Sequence, residues 1–159
     1  MTTWSAVCIF CEDIRQEKSD QDIIIGTLPD NLVGGTELPP IPDAQALLPR
    51  LGFYLRINFS ADSAQPSRLS MKILNPKGEI LAQNYWSQES IDKTFEDSKK
   101  NQMPVIGFIS KVVASPLPVS AGKLTVVVNV DDKEMIAGAL NIILPNASSP
   151  PSSQSPSVS

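Results

Sequence analysis

The chain contains no histidine. Every mechanism built on imidazole, from the serine triad to most catalytic zinc sites, is therefore excluded in its usual form. Cysteine is nearly absent too: Cys8 and Cys11 alone cannot supply the disulfide framework that small secreted domains carry. Glycine is scarce, 8 residues against 14 prolines, which favours rigid turns over long helices. Neither a G-x-x-x-x-G-K-[ST] loop nor a G-x-G-x-x-G run occurs, so nucleotide binding has no support. Basic charge is the minority, 13 Lys and Arg against 17 Asp and Glu, a net charge of −4 that is the wrong sign for a phosphate-backbone binder. No stretch of about 18 apolar residues is present, and Met1 to Phe10 lacks the basic flank and apolar core of a secretory signal. These points set the expectations: no nucleic acid, no membrane, no cofactor, and a cytoplasmic location.

The 159 residues suit one domain, and 42% of them are hydrophobic, enough for one core. Alternation is clearest from Leu51 to Phe59, where Leu51, Phe53, Leu55, Ile57 and Phe59 share one face and Tyr54, Arg56 and Asn58 the other. Leu124, Val126, Val128 and Val130 repeat it. After Asp131-Asp132-Lys133 come Ile136, Gly138, Leu140, Ile142 and Leu144, which predicts a hairpin. Arg68–Leu74 and Glu79–Gln83 form a second hairpin across Asn75-Pro76-Lys77-Gly78, with proline and glycine where a type I turn wants them. Trp4–Phe10, Asp22–Leu28 and Val105–Ala114 read as further strands, and Ser87 to Asn101 as a loop with a helical turn. The expected architecture is an all-β, immunoglobulin-like antiparallel β-sandwich of seven to nine strands over residues 1–144. Residues 145–159, with eleven Pro or Ser and no charge, should be a disordered tail.

Pro29 to Pro49 has no convincing strand and is long for a connection. Its core, Pro39, Pro40, Ile41 and Pro42, has the P-x-x-P form of a polyproline ligand. Tyr54 and Arg56, joined by Arg68 and Lys72 if their strands pair, would make a basic face bearing an aromatic ring. These are the candidate partner-binding residues, the alternative being a stiff loop and a solvated face.

Cys8-Ile9-Phe10-Cys11 has the spacing of redox dithiols and zinc half-sites, yet no further cysteine or histidine completes a tetrahedral site. Glu12 and Asp13 follow directly, and their charge raises a thiol pKa. Residues three apart on a strand face opposite ways, so Cys8 should join Trp4 and Phe10 in the core while Cys11 does not. Glu12, Asp13, Glu17, Asp20 and Asp22 cluster without EF-hand spacing and are interleaved with Arg15 and Lys18. Cys8, Asp13, Arg15 and Glu17 are accordingly read as structural, Arg15 tying Glu12, Asp13 or Glu17 into an ion-pair network.

The run Val7-Cys8-Ile9-Phe10-Cys11-Glu12-Asp13-Ile14-Arg15-Gln16-Glu17, followed by Ile23-Ile24-Ile25-Gly26-Thr27-Leu28, resembles a family of bacterial domains of unknown function. The resemblance spans about Thr3 to Leu144 and includes the Asn75–Gly78 turn and Ala121-Gly122. It implies an immunoglobulin-like fold and no assigned activity. The chain departs from the pattern in the Glu17–Gln21 connection, which lacks glycine. The expected role is a non-enzymatic binding or assembly module of a bacterium or mobile element, acting on a protein partner or by self-association. The alternatives are a thiol- or carboxylate-based enzyme or metal site at Cys8, Cys11, Asp13 and Glu17, or a self-assembling structural subunit.

Overall fold

A computed structural model describes residues 3–28, 31–33 and 45–144. In chain order the strands are β1 (Trp4–Gln16), β2 (Asp22–Thr27), β3 (Asn31–Val33), β4 (Gln45–Leu48), β5 (Leu51–Ser60), β6 (Leu69–Leu74) and β7 (Ile80–Tyr85). Helix α1 (Gln88–Lys100) follows, then β8 (Val105–Ala114), β9 (Leu117–Ser120), β10 (Gly122–Val130) and β11 (Lys133–Ile143). One sheet has the order β2-β1-β5-β8, a second β3-β11-β10-β6-β7, and β4 pairs with β9.

The protein is mostly β, as expected, but with eleven strands among the described residues rather than seven to nine. One pairing, β3 with β11, is parallel. Part of the Pro29–Pro49 stretch is also strand, contrary to expectation. Gln45–Leu48 pairs with Leu117–Ser120, and Asn31–Val33 with Asn141–Ile143. The Pro39–Pro42 segment and the 145–159 tail lie outside the described residues.

The β4–β9 ladder continues the β5–β8 ladder without a change of register: Leu48 faces Leu117 and Leu51 faces Ala114. Between these pairs stand Pro49-Arg50 and Ser115-Pro116. Neither proline has an N–H to give, so the ladder breaks there. The Ser115 hydroxyl donates to the Pro49 carbonyl at 2.8 Å. Leu48, Leu117 and Val119 beyond the break still enter the core.

Inward residues of both large sheets form one hydrophobic cluster, with Phe53, Leu55, Ile57 and Phe59 of β5 against Val126, Val128, Leu140 and Ile142. The two sheets approach closely at Gly138. A Cβ there would lie 3.1 Å from the Cys8 carbonyl oxygen and 3.2 Å from the Phe10 ring, so any larger residue would push β11 off β1 by a few tenths of an ångström.

The C-terminal hairpin forms, but not with one continuous inner face. The register shifts between Val126–Gly138 and Val127–Ile136, leaving Ala137 as an extra residue. This bulge turns Ala137 inward and leaves Ile136 exposed, while Leu140 and Ile142 stay buried. The Asn75–Gly78 turn is as expected, with Gly78 at φ 83° donating to Asn75 O at 2.9 Å.

Ser87 to Asn101 is a full helix rather than a loop with one turn. The Ser87 hydroxyl caps it by accepting from Ser90 N–H at 3.2 Å. It ends in a Schellman motif, Gln102 N–H donating to Lys99 O and Met103 N–H to Ser98 O, with Gln102 at φ 53°. Only Ile91 and Phe95 are buried along it. Phe95 closes one end of the core by packing on Phe59 and Phe108 at 5.5 and 6.2 Å between centroids.

Candidate functional site

Strand β1 runs past Phe10 to Gln16, so the C-x-x-C motif lies inside a strand rather than ending one. Its first half pairs with β5 as far as Cys11–Gly52, and its second half with β2 from Cys11–Thr27 onward. The β1–β2 hairpin is thus an arm, tied at its root to the sheet. Its connection lacks glycine, but Asp20 takes the left-handed conformation at φ 60°, which a short polar side chain tolerates.

The arm bends back over the outer face of β5 and β8. Lys111 stands in one cross-strand row with Tyr54 and Ile9. Asp22 pairs with Gln16, seven residues further along β1, which is about 23 Å in an extended strand. Yet Lys111 Nζ and Asp22 Oδ1 are 2.7 Å apart. A Cβ on the outer side of Gly52 would lie 2.7 Å from Cys11 Sγ and 3.3 Å from Ile14 Cγ1. The missing side chain at Gly52 is what lets the arm close down.

Cys8 sits in the core with Phe10, as expected. Cys11 departs from expectation: although outside that core cluster, it is 0% exposed because the arm covers it. Burial, reinforced by Cys11, pushes the Cys8 thiol up to about 12. Burial and the charge of Asp13 raise Cys11 against one opposing backbone hydrogen bond. Both thiols are free, and both are protonated at neutral pH. No group of three or more Cys, Asp or Glu among the described residues is placed to hold a metal.

Of the clustered carboxylates, Asp22 pairs with Lys111 and Asp13 gathers two arginines. Asp13 accepts from Arg15 Nε at 3.0 Å, from Arg50 Nη2, and from Ile14 N–H at 2.9 Å. The Arg15 hydrogen bond, then those from Arg50 and Ile14, hold its carboxyl below the ordinary range against partial desolvation. Glu12 and Glu17 are exposed and form no ion pair with Arg15. The expected network therefore narrows to Asp13, and its second cation, Arg50, comes from the proline-flanked break before β5. A cleft of about 480 Å³ opens beside it, floored by Leu48 and Leu51 and rimmed by Asp13, Arg15 and Arg50.

Tyr54 and Arg56 lie on the outer face of β5, but Lys72 is on β6 in the other sheet and Arg68 directly precedes that strand. The basic face expected from all four does not form. Arg68 pairs with Asp132 and Lys72 with Glu134. In its place is a row that sequence reading missed, Val7–Arg56–Ile109 across β1, β5 and β8. Val7 is 50% and Ile109 44% exposed. Arg56 Nε donates to Asn58 Oδ1 at 3.2 Å, and Arg56 forms no ion pair among the described residues. No protein-family model, curated protein or solved structure matches the chain.

Proposed function

We propose that this chain is a non-enzymatic binding or assembly module, an immunoglobulin-like β-sandwich that takes a protein segment on the outer face of β1, β5 and β8. The observation that carries this reading is the Val7–Arg56–Ile109 row. A strand face turned to water normally presents polar side chains; here two half-exposed aliphatics flank a guanidinium without an ionic partner among the described residues. Arginine among apolar groups is a common interface anchor, and this spacing suits a partner carboxylate between aliphatic side chains. The sandwich reading draws support from the core shared by the two sheets and from the seat of β11 on β1 at Gly138. A non-enzymatic role fits thiols kept protonated and an Asp13 committed to two arginines. The compartment proposed with it is the cytoplasm, on the cysteine usage.

The test is co-purification of the full chain from its native cell beside Arg56→Glu and Val7→Glu. Both sites are on the outer face, so both variants should keep the wild-type melting temperature and lose the bound protein. A partner retained at wild-type level by both variants sinks the reading.

A further inference from the structure

β8 is a ten-residue strand at the end of its sheet, with β5 on one side and no strand on the other among the described residues. Across the core margin, Asn84 Nδ2 of β7 donates to Ser110 Oγ at 3.5 Å, and α1 packs against β8 through Phe95 and Phe108. Such edges are usually blunted by charge, proline or a bulge. β8 has no proline and pairs with β5 without a register shift, and Lys111 is its single charge. Its outward positions Val105, Ile109 and Val113 are 49%, 44% and 37% exposed.

We infer that β8 pairs antiparallel with β8 of a second copy, centred on Ile109, to give one continuous eight-stranded sheet. In this register Ile109 meets Ile109, and Val105 meets Val113 at both ends. Lys111, the one charged residue of β8 and the partner of Asp22, stands opposite Gly107, whose missing side chain leaves it room. Two-fold pairing centred on Lys111 would instead set like charges face to face, which is unfavourable. The sequence is thus self-complementary along this edge, in the isologous manner a two-fold dimer requires. The chain's own 145–159 segment is a poor occupant, since its four prolines break any ladder it could join. The inference concerns the edge rather than the occupant of the Val7–Arg56 face, so either can fail alone.

Sedimentation of the full chain over a range of about 1 μM to 1 mM decides it. A reversible dimer is expected. Ile109→Lys should abolish it, because two ammonium groups would meet at the axis. The register is tested by opposite charges at one position. Gly107→Glu should tighten the dimer and Gly107→Lys weaken it, the two differing by about tenfold at low salt because the pair occurs twice. Position 107 tolerates a side chain, since a Cβ there meets only Asn58 Oδ1 at 3.6 Å, and thermal melts verify that each variant is folded. Val7→Glu and Arg56→Glu should dimerise like wild type. A monomer throughout, a dimer that survives Ile109→Lys, or two Gly107 variants that act alike overturns the inference.

Discussion

Asp131 concentrates more hydrogen bonds than any other side chain in the β10–β11 turn. Its Oδ1 accepts from Ser67 N–H, Ser67 Oγ and Arg68 N–H at 2.8, 2.7 and 3.0 Å, and its own N–H donates to Arg68 O at 3.0 Å. Partial burial pushes its carboxyl up, but the Ser67 hydroxyl and the two N–H groups outweigh this and hold it below the ordinary range. The residue sits at φ 52°, where a non-glycine side chain is strained unless it is Asn or Asp. Asp131→Ala should thus lose both the acceptor and the backbone tolerance, costing about 2 kcal/mol after discount for exposure. Asp131→Asn keeps the second and should cost less than half of that. Equal urea midpoints for the two variants would remove the backbone part of this account. Asp13 gives a pH signature of the same kind. Its folded-state pKa is depressed, so its contribution is present above the unfolded carboxylate value of about 3.9 and lost as pH falls through the folded one. Asp13→Asn should lower stability at pH 6 to 7, and the difference should close as pH falls through the depressed folded-state value.

Among the elements, those with local signals were readable in advance. The Asn75–Gly78 turn is specified within four residues, and the alternation of Leu51–Phe59 matches a strand whose five odd-numbered positions are all buried. Helix α1 was not readable as a helix because it buries only Ile91 and Phe95, too few apolar positions to show a 3.6-residue period. Its evidence is instead in the caps, Ser87 at one end and the Gln102 turn at the other. Ser87→Ala should destabilise by about 1 kcal/mol, and Phe95→Ala by about 3 to 5 because it hollows the aromatic cluster over Phe59 and Phe108. Urea unfolding checks both; a Phe95→Ala cost near that of Ser87→Ala would mean the helix is peripheral. The Ile136 face was misjudged for a different reason, since one bulge at Ala137 reverses the in–out phase and no single strand announces it. The Val7–Arg56–Ile109 row lay beyond local reading as well. Val7 falls on the expected outer side of β1, but only the pairing of three strands brings it beside Arg56 and Ile109.

At the scale of the whole molecule, the long-range fold-back of the β1–β2 arm explains why a cysteine on the outer face of a sheet is fully buried. Among the described residues, the arm is held by the Asp22–Lys111 ion pair, the Asp13–Arg50 ion pair at its root, and the close approach of Ile14 to Gly52. Removing the first should let the arm lift without unfolding the core, because Lys111 is on the outer face and contributes nothing to the inner cluster. The two cysteines report separately on the two events. Cys8 packs in the shared core and becomes reactive only on global opening, whereas Cys11 needs only the arm to move. In Lys111→Ala, labelling of Cys11 by a thiol reagent at pH 8 should accelerate several-fold while Cys8 stays as slow as in wild type. Gly52→Ala should do the same by forcing Cys11 Sγ away from a Cβ only 2.7 Å distant. Mass spectrometry of the labelled peptides distinguishes the sites. If Cys8 and Cys11 accelerate together, the arm is no independent unit and opens only with the core.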